Sequence, residues 1–331
     1  MAVKLDVKDR RLLYELDIDS RQPASELARR VGISKQGCTF KINALKRKGV
    51  IRSFPMVVNT PLIGYLSFRL YFKLSDATPK EEEEFRDYLV GQPNIPWVVG
   101  AEGVWDYIAV VFPADFEDFE RFSVELNNKY GEYIEKKDLA LVTRAYHFHS
   151  GYLLGEKKDL SPLVYAGQPK EVVELEGVER EILALLSVDS RVSLVEMSKK
   201  LGLHPKKISY RIEKLRKLNV IEGFITALDL DVIGFERYKV FVRTKNLSEK
   251  KERKFIQYAR MHPHIIYYSK SIGANDVEIE IVVENGILLR EIIADIREKF
   301  ADVIKGYETL RIYREFKINY YPWGKPSQES Q

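Results

Sequence analysis

Two stretches of the sequence carry a dense set of basic residues. Six of them, with no acidic residue, lie between positions 35 and 52: Lys35, Lys41, Lys46, Arg47, Lys48 and Arg52. Six more lie between positions 205 and 222, where Glu213 and Glu222 accompany them: Lys206, Lys207, Arg211, Lys214, Arg216 and Lys217. The net charges of the two stretches are +6 and +4, whereas the whole chain of 331 residues has a formal net charge of only +4, so the remainder of the chain is net negative. Clustered Lys and Arg suit contact with phosphate groups, although such a run is also typical of a solvated helix face.

The elements around the first stretch predict how these side chains are positioned. Leu12, Leu13 and Leu16 follow helical spacing, and positions 24–31 form a second short helix that Gly32 ends. Ser34 is a suitable N-cap for a third helix that runs to about Lys48. Residues 50–59 then have the pattern of a β-hairpin. Two helices joined by a short turn and followed by a hairpin indicate a winged helix-turn-helix.

The second stretch belongs to a repeat of the first. A shift of 170 residues aligns the two halves without a gap over about 100 positions, and it superposes Asp19-Ser20-Arg21 on Asp189-Ser190-Arg191. The predicted helices of the second copy are 178–186, 194–201 and 205–218. A match of this length indicates duplicated domains rather than a solenoid.

Residues early in each third helix are expected to face base edges in the major groove. In the first copy these are Lys35, Gln36 and Thr39, and in the second they are Lys206, Lys207 and Ser209. Gln pairs well with adenine and Lys with guanine, so the expected partner is double-stranded DNA. Arg47, Arg52 and Lys214 complete the predicted contact set. Phe40 and Tyr210 are either further exposed contacts or aromatic residues packed on their own domain.

A β-α-β-β-α-β pattern follows each wing, which is the ferredoxin-like order. In the first copy the strands are predicted at 66–74, 97–100, 107–112 and 139–148. The predicted fold class is therefore α+β, with two winged helix-turn-helix domains alternating with two ferredoxin-like domains. The boundaries are 1–60, 61–150, a linker at 151–174, 175–230, 231–321 and a frayed tail at 322–331.

Strand periodicity also predicts how the two sheets meet. Phe68, Leu70 and Phe72 alternate with Arg69, Tyr71 and Lys73, so one set faces the helices and the other set faces a free surface. The free face of the second copy presents Lys239, Phe241 and Arg243 together with Glu278 and Glu280. We expect self-association of the two copies, within one chain or in a homodimer, with Arg69 or Lys73 meeting Glu278 or Glu280. In the alternative, Lys239 and Arg243 neutralise Glu278 and Glu280 within the second sheet itself.

The composition indicates a cytoplasmic protein without a metal or cofactor. Cys38 is the only cysteine, and the five histidines lack metal-ligand spacing. The sequence has no long apolar run, so no membrane partner is predicted.

The sequence resembles the Lrp/AsnC (feast/famine) transcription regulators. The resemblance rests on residues 26–34, on Gly49-Val50-Ile51, and on residues 103–107, which are similar to the Gly-x-x-Asp turn of the family's effector domain. It implies that Lys41 and Arg211 contact phosphate. It also implies an amino-acid-like effector near Gly103, Asp106, Gly273 and Asp276, although these glycines also suit a tight turn. The tandem arrangement departs from the single unit that is usual in the family.

Two other functions remain as alternatives to a non-enzymatic, sequence-specific regulator. An architectural DNA-binding protein would have the same basic helices but no ligand. Siroheme decarboxylases are enzymes that use the same fold, but their Arg-Arg-Ile-Gly wing is replaced here by Arg52-Ser53-Phe54-Pro55 and Glu222-Gly223-Phe224-Ile225.

Overall fold

A computed structural model describes residues 2–156, 160–166 and 171–321. The first half contains α1 (Val7–Ile18), α2 (Ala24–Val31), α3 (Lys35–Arg47), β1 (Ile51–Ser53), β2 (Met56–Val58), β3 (Phe68–Leu74), α4 (Pro79–Gly91), β4 (Trp97–Glu102), β5 (Tyr107–Val111), α5 (Phe116–Tyr130) and β6 (Ile134–His147). The connection contains β7 (Leu163–Ala166). The second half contains α6 (Gly177–Val188), α7 (Leu194–Leu201), α8 (Pro205–Lys217), β8 (Ile221–Phe224), β9 (Ala227–Leu228), β10 (Glu236–Thr244), α9 (Glu249–Met261), β11 (Ile265–Gly273), β12 (Val277–Val283), α10 (Gly286–Lys299) and β13 (Ile304–Ile318).

The five helices of the second half each start 170 residues after their counterparts in the first. Short 3-10 turns lie at Thr60–Ile63 and Gly151–Leu153. The predicted tail at 322–331 and parts of the predicted linker lie outside the described residues.

Each head of three helices is built around leucine-rich faces. Leu12, Leu13 and Leu16 of α1 are fully buried, and Leu45 of α3 packs in the same core. Ser34 accepts a hydrogen bond from the Gly37 amide at 3.0 Å and caps α3. Gly32 ends α2 with a φ of 72°, a conformation that glycine adopts without strain. The expected helix-turn-helix arrangement is therefore present, and α3 leaves its opposite face to solvent.

The expectation of a β-hairpin in each wing is wrong. β1 pairs with β9 and β2 pairs with β8, so each wing strand finds its partner in the other half of the chain. The residues between β1 and β2 are Phe54 and Pro55, which are not the Gly and Asn types that tight hairpins need. Proline also favours an extended residue before it, so the chain continues straight through Phe54, which is buried. The two heads are consequently interlocked through exchanged wings.

Reciprocal contacts hold the two heads together at the centre of this exchange. The hydroxyls of Ser20 and Ser190 are 2.8 Å apart, and both residues are fully buried. Arg21 donates to the carbonyls of Ser190 and Val192, the second at 2.9 Å. Arg191 donates in return to the carbonyls of Ser20 and Gln22. The contacts are equivalent in both directions, so the heads are related by an approximate two-fold axis.

The remaining strands form one closed antiparallel sheet of eight strands. The order β6-β3-β5-β4 in the first half matches β13-β10-β12-β11 in the second, which is the ferredoxin-like order in both. β13 pairs with β4, and β6 pairs with β11, so the two four-stranded sheets are joined along both edges. β7 adds to the outside of β6. The helices cover the outer face, where Leu70 and Phe72 pack with α4 and α5.

Charged side chains line the interior of this closed sheet. Arg69 of β3 meets Glu278 of β12, with its Nη1 atom 2.5 Å from Oε2, and Lys239 of β10 contacts both Glu278 and Glu280. The predicted pairing of the two sheets is thus confirmed within one chain. The alternative, neutralisation of the glutamates by Lys239 and Arg243 of their own sheet, is present only in part, because Arg243 pairs with Glu308 instead. Lys73 does not take part, because it pairs with Asp106 at 2.7 Å.

Candidate nucleic-acid interface

The exposed face of α3 carries the side chains that were expected to contact bases. Lys35, Gln36 and Thr39 are exposed, whereas Cys38, Ile42 and Leu45 face the core. Phe40 is 67% exposed, so its aromatic ring does not pack on its own domain. Asn43 lies on the same face, one helical turn after Thr39. Sequence reasoning omitted Asn43, although its spacing from Gln36 and Thr39 places it with them.

The equivalent face of α8 is different in chemistry. Lys206 and Lys207 are exposed, Ser209 is half-buried, and Tyr210 is 72% exposed. Glu213 occupies the position of Asn43 and is exposed too. The two heads therefore present two related but unlike surfaces.

Lys41 and Arg211 are held by carboxylates of their own heads. The Lys41 ammonium lies 2.9 Å from Asp6 and 2.8 Å from Asp9, both at the start of α1. Arg211 pairs with Glu176 at 2.9 Å, and Lys214 pairs with Glu179 at 2.9 Å. The hydrogen bond from Lys41 lowers the pKa of Asp6. These basic residues connect the third helix of each head to its first helix, so much of their charge is already compensated.

The two remaining basic candidates lie in different places. Arg47 is exposed in the last turn of α3. Arg52 is half-buried and reaches Glu315 of β13 at 3.4 Å, so it contacts the closed sheet. The structure thus brings Arg47 together with the exposed face of α3 but does not bring Arg52 there.

Gly103 and Asp106 lie in the turn that connects β4 to β5, whereas Gly273 ends β11 and Asp276 lies in the turn that leads to β12. Asp106 accepts hydrogen bonds from Lys73 at 2.7 Å and from the Leu74 amide at 2.8 Å. Asp276 accepts from the amide and the hydroxyl of Thr244, at 2.6 and 3.0 Å. Through these hydrogen bonds, Asp106 holds its turn against the end of β3, and Asp276 holds its turn against the end of β10.

Glycine is required in both turns by conformation and by space. Gly103 has a φ of 139°, and a Cβ atom there would lie 3.2 Å from Leu310. Gly273 has a φ of 123°, and a Cβ atom would collide with the Leu139 carbonyl. The glycines thus have a structural role where the two sheets join.

No helix within the described ranges is long and apolar enough to cross a bilayer. Across those same residues, His, Cys, Asp and Glu nowhere form a group of three that could hold a metal ion.

Comparisons with known proteins agree with this geometry. A family model for winged helix-turn-helix DNA-binding domains matches residues 5–52, and one for the AsnC-type helix-turn-helix domain matches residues 177–216. The leucine-responsive regulatory protein of Rhizobium meliloti is 41% identical over 128 residues, which is 38% of this chain and 81% of that protein. An uncharacterized HTH-type transcriptional regulator of Pyrococcus abyssi is 31% identical over 123 residues, which is 37% of this chain and 77% of that protein.

A solved structure matches almost the whole chain. The siroheme decarboxylase NirDL aligns with 98% of this chain and 94% of its own, with a TM-score of 0.59 and 15% sequence identity. At this identity the likeness concerns the fold. The matched helix-turn-helix models, the regulator relatives and the exposed basic helices agree with one another: the chain belongs to the Lrp/AsnC family of DNA-binding transcription regulators.

Proposed function

We propose that a single chain acts as a complete sequence-specific DNA reader, with α3 and α8 as its two reading helices. The observation that carries this proposal is the exchange of wing strands between the heads, which β1–β9 and β2–β8 pairing describes. Because the two heads are interlocked, they reach DNA as one unit related by an approximate two-fold axis. Paired readers of this kind suit two half-sites about one helical turn apart.

The proposed base contacts are the exposed residues at the start of each reading helix. Gln36 and Thr39 would read one half-site, and Lys206, Lys207 and Ser209 the other. Arg47 would contact phosphate from the end of α3. Lys41 and Arg211 can contact phosphate only by exchanging their present carboxylate partners for phosphate oxygens.

We also propose that the closed sheet senses a small metabolite. The leucine-responsive name of the Rhizobium meliloti relative supports an amino-acid-like ligand. Arg52 supports a connection between sensing and reading, because it lies in wing strand β1 and pairs with Glu315 of the sheet. On this proposal the chain is a tandem duplication, with heads at 1–60 and 175–230 and effector domains at 61–150 and 231–321.

Binding to genomic and to random duplex DNA, measured at several salt concentrations, tests the DNA proposal. Specific sites typically bind 10³- to 10⁷-fold more tightly than random DNA. We expect a preference in that range, and we expect Arg47→Ala to reduce the salt slope by about 1 without changing the preferred sequence. Equal affinity for all sequences would instead support an architectural DNA-binding protein.

The enzyme alternative has a separate test, which is motivated by the shared fold with NirDL. When siroheme is added to the purified chain, we expect no Soret band whose intensity saturates as the protein concentration is raised. A stoichiometric band with product formation would contradict the regulator proposal.

A further inference from the structure

Two exposed aromatic side chains lie at equivalent positions on the two reading helices. Among the residues that the structure describes, the exposed aromatic residues are Phe40, Phe116, Tyr210 and Tyr307. Phe40 of α3 and Tyr210 of α8 are separated by 170 residues, the offset of the repeat, and they are 67% and 72% exposed. One exposed apolar residue needs no explanation, but an exposed ring at the same position of both helices indicates a shared role.

Helical geometry places the ring of Phe40 near the middle of the face that α3 leaves to solvent. Phe40 lies four residues after Gln36 and three residues before Asn43, and both of these residues are exposed. Residues at these spacings are neighbours on one face of a helix. Cys38 and Ile42, two positions to either side of Phe40, are buried in the core. The aromatic ring therefore projects away from its own domain, together with the candidate base-reading residues.

The ring of Tyr210 has the same setting on α8. Tyr210 lies four residues after Lys206 and three residues before Glu213, and both of these residues are exposed. Ile208 and Ile212, two positions to either side of Tyr210, are buried. The two heads thus present an aromatic ring at the same register of their reading faces, although the residues around the rings differ.

The surroundings of the rings favour DNA over a protein partner. The exposed residues on the same face as Phe40 are Gln36, Thr39, Asn43 and Arg47. All four are polar or basic, whereas a protein-docking surface typically has a contiguous apolar patch. A single apolar ring among hydrogen-bonding side chains matches the major groove, where the C5-methyl group of thymine is the apolar feature of the base edges.

We infer that Phe40 and Tyr210 each contact the C5-methyl group of a thymine in the major groove. The inference rests on the proposed reading of DNA by α3 and α8, and it names a chemical group that this reading recognises. Because the two rings have the same register on their helices, both half-sites contain a thymine at the same distance from the centre of the site. The other bases of the two half-sites differ.

Replacement of thymidine by deoxyuridine tests the inference, because it removes the methyl group and keeps the hydrogen-bonding groups of the base. Each dT of the site selected from randomised DNA is replaced by dU in turn, and the affinity of the full chain is measured at one salt concentration. We expect one dU position in each half-site to weaken binding about 4-fold, the effect of exposing one buried carbon. A dC at that position should bind more tightly when it carries a C5-methyl group.

Variants of the two rings assign each methyl group to its contact. Phe40→Ala should abolish the difference between dT and dU in one half-site only, and Tyr210→Ala in the other half-site only. Phe40→Leu and Tyr210→Phe keep an apolar side chain and should retain the difference. Phe116→Ala is the matched control, because Phe116 is 70% exposed but lies on α5, and it should bind both duplexes as the wild type does.

Equal affinity for dT and dU at every position of a preferred site would overturn this inference and leave sequence-specific reading standing. A dU effect that persists in both alanine variants would also overturn it, since other residues would then contact the methyl groups. The absence of any preferred site would remove the proposed reading of DNA and this inference with it.

Discussion

Among contacts between individual side chains, the ion pair between Arg69 and Glu278 was the one that the alternation of residues along the strands predicted best. Alternation along β3 placed Arg69 and Tyr71 on the inner face, and the same rule placed Glu278 there from β12. The sequence did not predict whether Arg69 or Lys73 would pair with a glutamate of the other sheet. The outcome depends on Asp106, which lies in the turn between β4 and β5 and binds Lys73. Lys73 lies near the end of β3, where Asp106 is close enough to bind it.

Removing Arg69 should destabilise the fold strongly. Among the described residues, Arg69→Met leaves the buried Glu278 with Lys239 and Tyr71 as its side-chain partners. We expect the free energy of unfolding to fall by about 3 kcal/mol, the lower end for a broken buried pair. In urea denaturation, the double variant Arg69→Met/Glu278→Leu should lose at least about 1 kcal/mol less than the two single changes added together. Strict additivity would show that the two residues are not coupled.

His147 should make the protein sensitive to moderate acid. Burial is the main cause of its low pKa of about 4, which nearby His149 and Arg237 lower further and which Asp17 and Glu280 oppose. The unfolded chain takes up this proton below about pH 6.5, whereas the folded chain does so only near pH 4, so stability falls as the pH drops through this interval.

The measurement is the free energy of unfolding at pH 7 and pH 4.5 for the wild type and for His147→Gln. We expect the loss between these two pH values to be smaller in the variant by about 2–3 kcal/mol. An equal loss in both proteins would show that His147 does not titrate abnormally.

At the scale of elements, local patterns predicted the helices and most strands but not the partners of the wing strands. The spacing of Leu12, Leu13 and Leu16 is a property of one helix, and it appears in the sequence directly. The partner of β1 lies about 175 residues away, and no local signal distinguishes it from β2. Phe54-Pro55 was the available clue, because it lacks turn-forming residues and favours an extended chain. The exposure of Lys35, Gln36 and Thr39 on one face of α3 was predictable for the same local reason, whereas the exchange of wing strands depends on contacts between the halves.

The reciprocal arginines should stabilise the interlocked heads. Arg191→Ala removes charge-assisted hydrogen bonds to the Ser20 and Gln22 carbonyls, so we expect a loss of about 2 kcal/mol in the free energy of unfolding. Arg29→Ala is the matched control, since Arg29 forms an exposed pair with Glu26, and we expect it to leave the free energy of unfolding nearly unchanged. Similar losses in both variants would argue against a special role for the reciprocal contacts.

At the scale of the whole molecule, the two halves of one chain together form the closed sheet and the pair of heads that two identical subunits would form in a symmetric dimer. The closed sheet and the interlocked heads each combine equivalent elements from both halves. Since the halves have diverged in sequence, the two reading faces differ, as Gln36 against Lys206 and Asn43 against Glu213 show. Two identical subunits favour a palindrome, whereas this chain should favour a site with two unlike halves.

Selection from randomised duplex DNA at a fixed salt concentration tests this claim most directly. The selected sites should contain two unlike half-sites whose centres are about 10 base pairs apart. Gln36→Ala should change the selected bases in one half only, and Lys206→Ala in the other half only. Identical halves, changes by both variants in the same half, or no enriched sequence would contradict the proposal that α3 and α8 read two unlike half-sites.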